Sequence, residues 1–222
     1  MIYTLIIPVY NEKNIIETTY YKIKYLTNVA EIIFVDDGST DGTCEFLENV
    51  ENIKLIKNQH NLGKGSSIVK ALNNANGKYV ILFDGDLEID PTAIEKIISK
   101  HEIDRTMVYK GSRLKSRLSD FISPYNFANK IINFFFNLTY NTYHNDVLCC
   151  LIVIEKKILQ SLNIYSKRFG LEAEIMSKIA LKEIHFKEVN VMYNRRKSSQ
   201  GKKLTIFDAY DIIKVIINVK YS

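Results

Sequence analysis

At 222 residues, 46% hydrophobic and 25% charged, with only nine Gly and three Pro, the chain has the makeup of one globular domain, not of a linker or disordered tail. A chain of this size buries roughly 70% of its unfolded surface, so its core needs neither a disulfide nor a structural metal. Its three cysteines, adjacent Cys149 and Cys150 and a distant Cys44, lack paired C-x-x-C spacing and fit a reducing, cytoplasmic setting.

The net charge of +5 is unevenly divided, with 12 basic and 16 acidic residues up to Lys110 (net −4) and 18 basic and 9 acidic after it (net +9). The acidic half is the place to look for a divalent metal. The basic half suits a phosphate-bearing partner: anionic lipid, lipid phosphate or nucleic acid. No apolar run reaches the ~18 residues of a membrane span, because Asn133 and Asn137 interrupt the run around Phe134 to Phe136, and Lys214 and Asn218 interrupt the tail. Met1 to Thr4 has no basic leader, so no secretory signal is expected.

In chain order, apolar β-branched runs at Thr4 to Val9, Ile32 to Val35, Ile53 to Ile56 and Tyr79 to Phe83 predict buried strands. Helical stretches fall between them, at about Glu12 to Leu26, Gly42 to Asn49 and Gly65 to Asn74. Asp90-Pro91 opens a further helix through about Lys100, followed by a strand at Met107 to Lys110. Such alternation predicts an α/β fold with a mostly parallel sheet and helices on both faces. Beyond Gly111 come a basic loop, an aromatic helix from about Asn126 to Tyr140 and an apolar strand-like run at Val147 to Ile154. A helix at Leu171 to Leu181, a strand at Ile184 to Met192, a second basic loop and an amphipathic helix at Ile206 to Val219 follow. One domain is expected over 1–222, with a nucleotide and metal half to about 112 and an acceptor half after it.

Ligands of an open parallel sheet bind beyond the carboxyl ends of its strands. There the sequence places Asp36-Asp37-Gly38-Ser39-Thr40-Asp41-Gly42 and Asp84-Gly85-Asp86-Leu87-Glu88. Asp84 and Asp86, two apart with Gly85 between them, can aim oxygens at one point. Mg²⁺ or Mn²⁺ is the natural occupant, shared with a substrate diphosphate. Tyr10 could line a base pocket, Asn11 could cap the next helix, and Lys64 beside a helix N-terminus could attract a phosphate. The spacing around Lys64 is not that of a P-loop, no G-x-G-x-x-G follows the first strand, and neither H-E-x-x-H nor G-x-S-x-G occurs. ATPase and Rossmann dinucleotide-binding readings therefore weaken, although the sheet stays Rossmann-like, and zinc-hydrolase and serine-hydrolase readings fall away.

Five segments taken in order resemble the inverting family-2 glycosyltransferases: Ile6 to Glu12, Val35 to Thr43, Asn61 to Gly65, Asp84-Gly85-Asp86 and Gly111-Ser112-Arg113. Asn145-Asp146, Glu172-x-Glu174, Val189-x-Val191 and Gly201 to Leu204 are similar to the dolichyl-phosphate mannose and glucose synthase branch, whose acceptors are polyprenyl phosphates. The resemblance implies a GT-A fold in which Pro8, Tyr10, Glu12 and Asp37 contact the nucleotide, and Asn11, Asp36, Lys64, Asp84 and Gly85 complete the expected nucleotide-sugar site. It also implies that Asp84, Asp86 and Glu88 bind the metal, and that Arg113 meets phosphate near the reacting centre. The chain departs from the branch at Asp146 to Ile152, where the usual Gln, Gly and basic residue are missing, and at Lys202, where a Ser is usual.

A phosphate acceptor is already ionised at neutral pH, its second pKa being about 6, and needs no general base. A hydroxyl acceptor would need one, and Asp146 or Glu174 are the candidates. Together with Asp86 and Arg113 they make up the catalytic set. Arg113, Arg117, Arg195, Arg196, Lys202 and Lys203 would orient the acceptor phosphate. The expected activity is metal-dependent transfer of a hexose from a UDP- or GDP-sugar to polyprenyl phosphate, at the cytoplasmic face of a membrane and without a nucleic-acid partner. The alternatives are a family-2 enzyme extending a cell-surface glycan and a non-catalytic nucleotide-sugar-binding module. The aromatic stripe from Phe121 to Leu138 and the helix from Ile206 suit a core, a membrane surface or a homo-oligomer equally well.

Overall fold

Each buried β-branched run becomes a strand of one seven-stranded sheet in the computed structural model, which describes residues 1–115, 124–167, 170–194 and 206–222. The first half runs β1 (Tyr3–Val9), α1 (Lys13–Ile23), a 3₁₀ turn (Lys24–Asn28), β2 (Ala30–Asp36), α2 (Thr43–Glu48), β3 (Lys54–Lys57), α3 (Lys64–Leu72), β4 (Tyr79–Leu82) and α4 (Thr92–Ile103). The second half adds β5 (Val108–Lys115), α5 (Pro124–Tyr140), β6 (Ile152–Glu155), α6 (Lys156–Ser161), α7 (Leu171–Leu181), β7 (Phe186–Tyr193) and α8 (Ile206–Tyr221).

The strand order is β3-β2-β1-β4-β6-β5-β7. β1 pairs in parallel with β2 and β4, β2 with β3, and β5 with β7, while β6 runs antiparallel to both β4 and β5. This is the expected mostly parallel α/β sheet. Both faces are covered, so its central strands are apolar at successive positions instead of alternating. On one face Ile6, Val35, Val80 and Ile154 pack with α3, α5, α7 and α8, through Ile68, Phe136, Ile175 and Ile216. On the other, Leu5, Ile7, Phe34 and Ile81 pack with α1 and α4, through Ile16, Ile94 and Ile97.

Two expectations are corrected and one element is added. The apolar run Val147 to Ile154 contributes only its end to a strand. Its earlier part crosses the sheet end as irregular chain with Val147 and Leu151 fully buried, so its apolarity reflects burial and not pairing. The six-residue α6 was not anticipated, being too short to show a helical period. The first helix stops at Ile23 and tightens into the 3₁₀ turn before reaching Leu26.

Chain direction positions the site. β1 leads outward to β2 and β3 on one side, and β4 returns to its other side, so the order reverses between β1 and β4. Ligands of such sheets sit in the crevice at that point. Because β6 alone is reversed among the described strands, the segment entering it, Asp146 to Leu151, also arrives at the carboxyl edge.

Candidate active site

Pro8 and Val9 end β1, and past it the chain turns through Tyr10 to Glu12, with Tyr10 exposed and Asn11 in the left-handed region at φ 54°. Asn11 does not cap α1 as expected. Its Oδ1 accepts the Thr40 N–H at 2.8 Å, and its own N–H donates to Ser39 Oγ at 2.9 Å. The start of α1 is instead satisfied from the loop after β2, where Asp41 Oδ2 accepts the Lys13 N–H at 3.0 Å and Thr43 Oγ1 accepts that of Glu12 at 2.8 Å. The loops after β1 and β2 are thus laced into one rim.

Under that rim lie two buried carboxylates with different assignments. Asp37 accepts N–H groups from Leu62 (3.0 Å), Gly63 (2.8 Å) and Asn58 Nδ2 (2.8 Å), and the Ser67 hydroxyl at 3.1 Å. Its hydrogen-bonding capacity goes to shaping the Asn61 to Gly63 turn ahead of Lys64. Asp36 accepts one N–H, from Ser39 at 3.1 Å, through Oδ2, and its buried Oδ1 has no hydrogen-bond partner. A buried acceptor left open is costly unless a ligand donates to it.

The acidic turn after β4 stands half-buried at the switch point. Gly85 is packed so closely on β1 that a Cβ would lie 2.8 Å from Val9 Cγ1. Leu87 is held at φ 57°, a conformation that costs a branched residue roughly 1–3 kcal/mol and is found preferentially at functional sites. Asp84 Oδ1 is 2.5 Å from Lys64 Nζ, which also donates to Glu172 Oε1 at 2.5 Å. Burial works against the Lys64 charge, but the two carboxylates outweigh it and raise the pKa well above the usual lysine range. Asp86 Oδ1 accepts the Glu88 N–H at 3.0 Å, while Glu88 Oε2 accepts the Tyr193 hydroxyl at 2.9 Å.

Asp84, Asp86 and Glu88 offer only oxygen donors, which suits a hard cation. They do not converge: among the described residues no three His, Cys, Asp or Glu side chains gather into a metal cage. The set therefore fits a cation that draws further oxygens from a diphosphate and water.

Across the edge, Arg113 at the end of β5 meets Asp146 from the segment before β6. Arg113 Nε donates to Oδ2 at 2.6 Å, Nη2 to Oδ1 at 2.7 Å, and the backbone N–H to Oδ2 at 3.1 Å. Fully buried Lys110 donates to the Asp146 carbonyl. Burial would raise the Asp146 pKa, but the Arg113 charge and hydrogen bonds, helped by Lys110, hold it down at about 2. The Arg113 guanidinium also lies 5.3 Å from the centre of the Tyr193 ring, so Tyr193 links it to Glu88.

Glu174, the other expected base, is fully buried. It accepts the N–H groups of Tyr165 and Ser166, the latter at 2.7 Å, and pairs with Lys178. The geometry thus gives it the job of holding the 165–166 segment. Arg117, Arg195, Arg196, Lys202 and Lys203 lie outside the described residues.

A model of the family described as "Glycosyl transferase family 2" matches residues 4–162, which takes in both the switch-point loops and the Arg113–Asp146 pair. The chain belongs to glycosyl transferase family 2. An undecaprenyl-phosphate 4-deoxy-4-formamido-L-arabinose transferase of Proteus mirabilis is 28% identical over 229 residues, covering 99% of this chain and 65% of that protein. The same enzyme of Photorhabdus laumondii is also 28% identical, over 99% of this chain and 66% of its own length, so the chain spans just under two thirds of these relatives. Among solved structures, glucosyl-3-phosphoglycerate synthase from Mycobacterium tuberculosis, in complex with Mn²⁺, UDP-glucose and phosphoglyceric acid, aligns with a TM-score of 0.75. It is 15% identical and covers 99% of this chain and 79% of that one. A second complex of that synthase, with Mn²⁺, UDP and glucosyl-3-phosphoglycerate, gives 0.76 at 16% identity, with 99% and 80% covered. These likenesses are of fold, and the fold is GT-A-like.

Within this family-2 domain the structure adds three residues that the motifs did not single out as site groups: Glu172, Tyr193 and Lys110. Glu172 and Glu174 lie two apart on one helix and so face different ways, which permits only one of them to reach the edge. Tyr193 ends a strand parallel to β5, so its place at the edge follows from topology. Nothing local marks Lys110.

The aromatic helix α5 divides its apolar residues between two faces. Ile132 and Phe136 are buried in the core, whereas Phe127, Phe134, Phe135 and Leu138 are exposed. Phe121 lies outside the described residues. Among those described, no helix is long and apolar enough to cross a membrane.

Proposed function

We propose that this family-2 domain moves a sugar, with inversion, from a nucleoside-diphosphate sugar to a polyprenyl phosphate at a membrane surface. The observation that carries the acceptor class is the Arg113–Asp146 pair. A carboxylate held at about pKa 2 by a guanidinium is a poor base, and Glu174 is sealed in the core. The two groups on which a hydroxyl acceptor was expected to draw are thus both committed elsewhere. A phosphate acceptor needs neither, since it is ionised above about pH 6. The relatives in Proteus and Photorhabdus, named for undecaprenyl phosphate, support the same class.

In this reading Asp36 Oδ1 accepts an N–H from the nucleoside base, within the rim formed by Pro8, Tyr10, Asn11 and Glu12, and Asp37 holds the Lys64 turn in place. Asp84 and Asp86 would hold a divalent cation, Mg²⁺ or Mn²⁺, with Glu88 alongside. That cation would supply positive charge to offset the charge growing on the departing diphosphate. The complexes of the mycobacterial synthase with Mn²⁺ and UDP-glucose support this donor side. Arg113, with two of its five N–H donors on the Asp146 side chain, turns the rest of its fork to the acceptor phosphate. An acceptor oxygen forms the bond to the anomeric carbon, the bond from that carbon to the diphosphate oxygen breaks, and the electron pair leaves with the nucleoside diphosphate. The exposed face of α5 lies in the lipid interface, where the acceptor's polyprenyl chain resides.

The test is transfer from a panel of UDP- and GDP-sugars to polyprenyl phosphate with Mn²⁺ or Mg²⁺, beside Asp86→Ala, read by lipid extraction and mass spectrometry. A glycosylated lipid phosphate that falls at least 100-fold in the variant is expected. Transfer to a glycan hydroxyl with no lipid product would overturn the acceptor class.

A further inference from the structure

Lys64 is an ammonium clamped between two carboxylates, one of them in the acidic turn. Its side chain is 25% exposed, those of Asp84 and Glu172 are 32% and 15%, and both contacts are 2.5 Å. Its backbone is fixed from both sides. The preceding Gly63 N–H donates to Asp37 Oδ2 at 2.8 Å, and the following Gly65 N–H donates to the Lys167 carbonyl at 3.0 Å. Gly65 is so tightly seated that a Cβ would lie 1.9 Å from the Ser166 carbonyl oxygen. Glu172 sits in the first turn of α7, where the helix dipole favours its charge and steadies the far arm of the clamp.

We infer that Lys64 is the resting counter-ion of Asp84, and that it makes cation binding conditional on the arrival of a diphosphate. The inference rests on the donor reading above and extends it to the order of binding. While Lys64 neutralises Asp84, a divalent cation there meets a like charge and one carboxylate fewer. A nucleoside diphosphate carries the negative charge that draws Lys64 off Asp84 and brings oxygens that complete the cation's shell. This accounts for a carboxylate set that does not converge by itself.

The experiment is Mn²⁺ binding to the full chain, followed by the paramagnetic resonance signal of free Mn²⁺, with and without UDP or GDP. Wild type is expected to bind Mn²⁺ at least tenfold more tightly with the nucleotide than without it. Lys64→Met should bind Mn²⁺ alone at least tenfold more tightly than wild type, and Lys64→Arg should restore weak binding. Equal Mn²⁺ affinity of wild type with and without nucleotide would overturn the inference, and that comparison stands even if Lys64→Met fails to fold. A folded Lys64→Met with unchanged affinity for Mn²⁺ alone would overturn it too, leaving the donor reading intact if nucleotide still promotes binding. Absence of Mn²⁺ binding in every sample would sink the donor reading itself.

Discussion

Burial and charge act in opposite directions on Asp146, and the charge wins. With its pKa lowered to about 2, Asp146 binds its proton less readily in the folded chain than in the unfolded one. Its ionised form therefore adds stability that is fully present above pH 4 and is lost as pH falls toward 2, about 2 kcal/mol by linkage. Urea denaturation across this range checks the sign: the stability gap between wild type and Asp146→Asn should narrow by about 2 kcal/mol from pH 7 to pH 2. Arg113→Met should cost more at neutral pH, about 3–5 kcal/mol, because it strands a buried carboxylate. The pairing itself was not legible in the sequence. Arg113 and Asp146 are 33 residues apart, and each was assigned a substrate when its first partner is the other.

Helix α5 shows at the element scale why an apolar stripe does not name its own partner. Phe134 and Phe136 are two apart and face opposite surroundings, one exposed and the other fully buried. Phe136→Ala should destabilise the fold by about 3–5 kcal/mol. Phe134→Ala and Leu138→Ala should change stability by no more than about 0.5 kcal/mol while weakening sedimentation with liposomes severalfold. Equal liposome binding by wild type and the Phe134→Ala/Leu138→Ala double variant would remove α5 from the membrane reading. The amphipathic period was readable, but the direction of each face depended on where α7 and α8 dock. α5 closes over the core against α8, and the Tyr140 hydroxyl donates to the Ile216 carbonyl at 2.8 Å.

Over the whole molecule, the net charge is −4 up to Lys110 and +9 after it, and under the proposed function the first half carries the donor side while the second attracts the acceptor. Adhesion to anionic vesicles through the basic half should decline steeply between 0.1 M and 1 M salt, as the screening length shrinks from about 10 Å to 3 Å. Nucleoside-diphosphate binding in the presence of Mn²⁺, made at close range in a half-buried crevice, should weaken far less over the same range. Cosedimentation and calorimetry on one preparation would separate the two. A nucleotide affinity that fell as steeply as vesicle binding would mean that the donor site works by long-range attraction.

Most of the strands, the order of the loops and the motifs at their ends were legible in the residues alone, the run before Ile152 being the exception. In a parallel sheet every strand delivers its last residues to the same edge, so the acids after β2 and β4 had to meet there. Which partner each charge takes was settled by how the layers pack. Lys64 and Glu172 are 108 residues apart, and no local pattern joins them. They meet because α3 and α7 pack on the same face of the sheet and bring their first turns together, as Asp146 meets Arg113 because β6 alone among the described strands runs backwards. Local periodicity is written within a few residues of chain, whereas charge pairing depends on distances that exist only after the layers have packed.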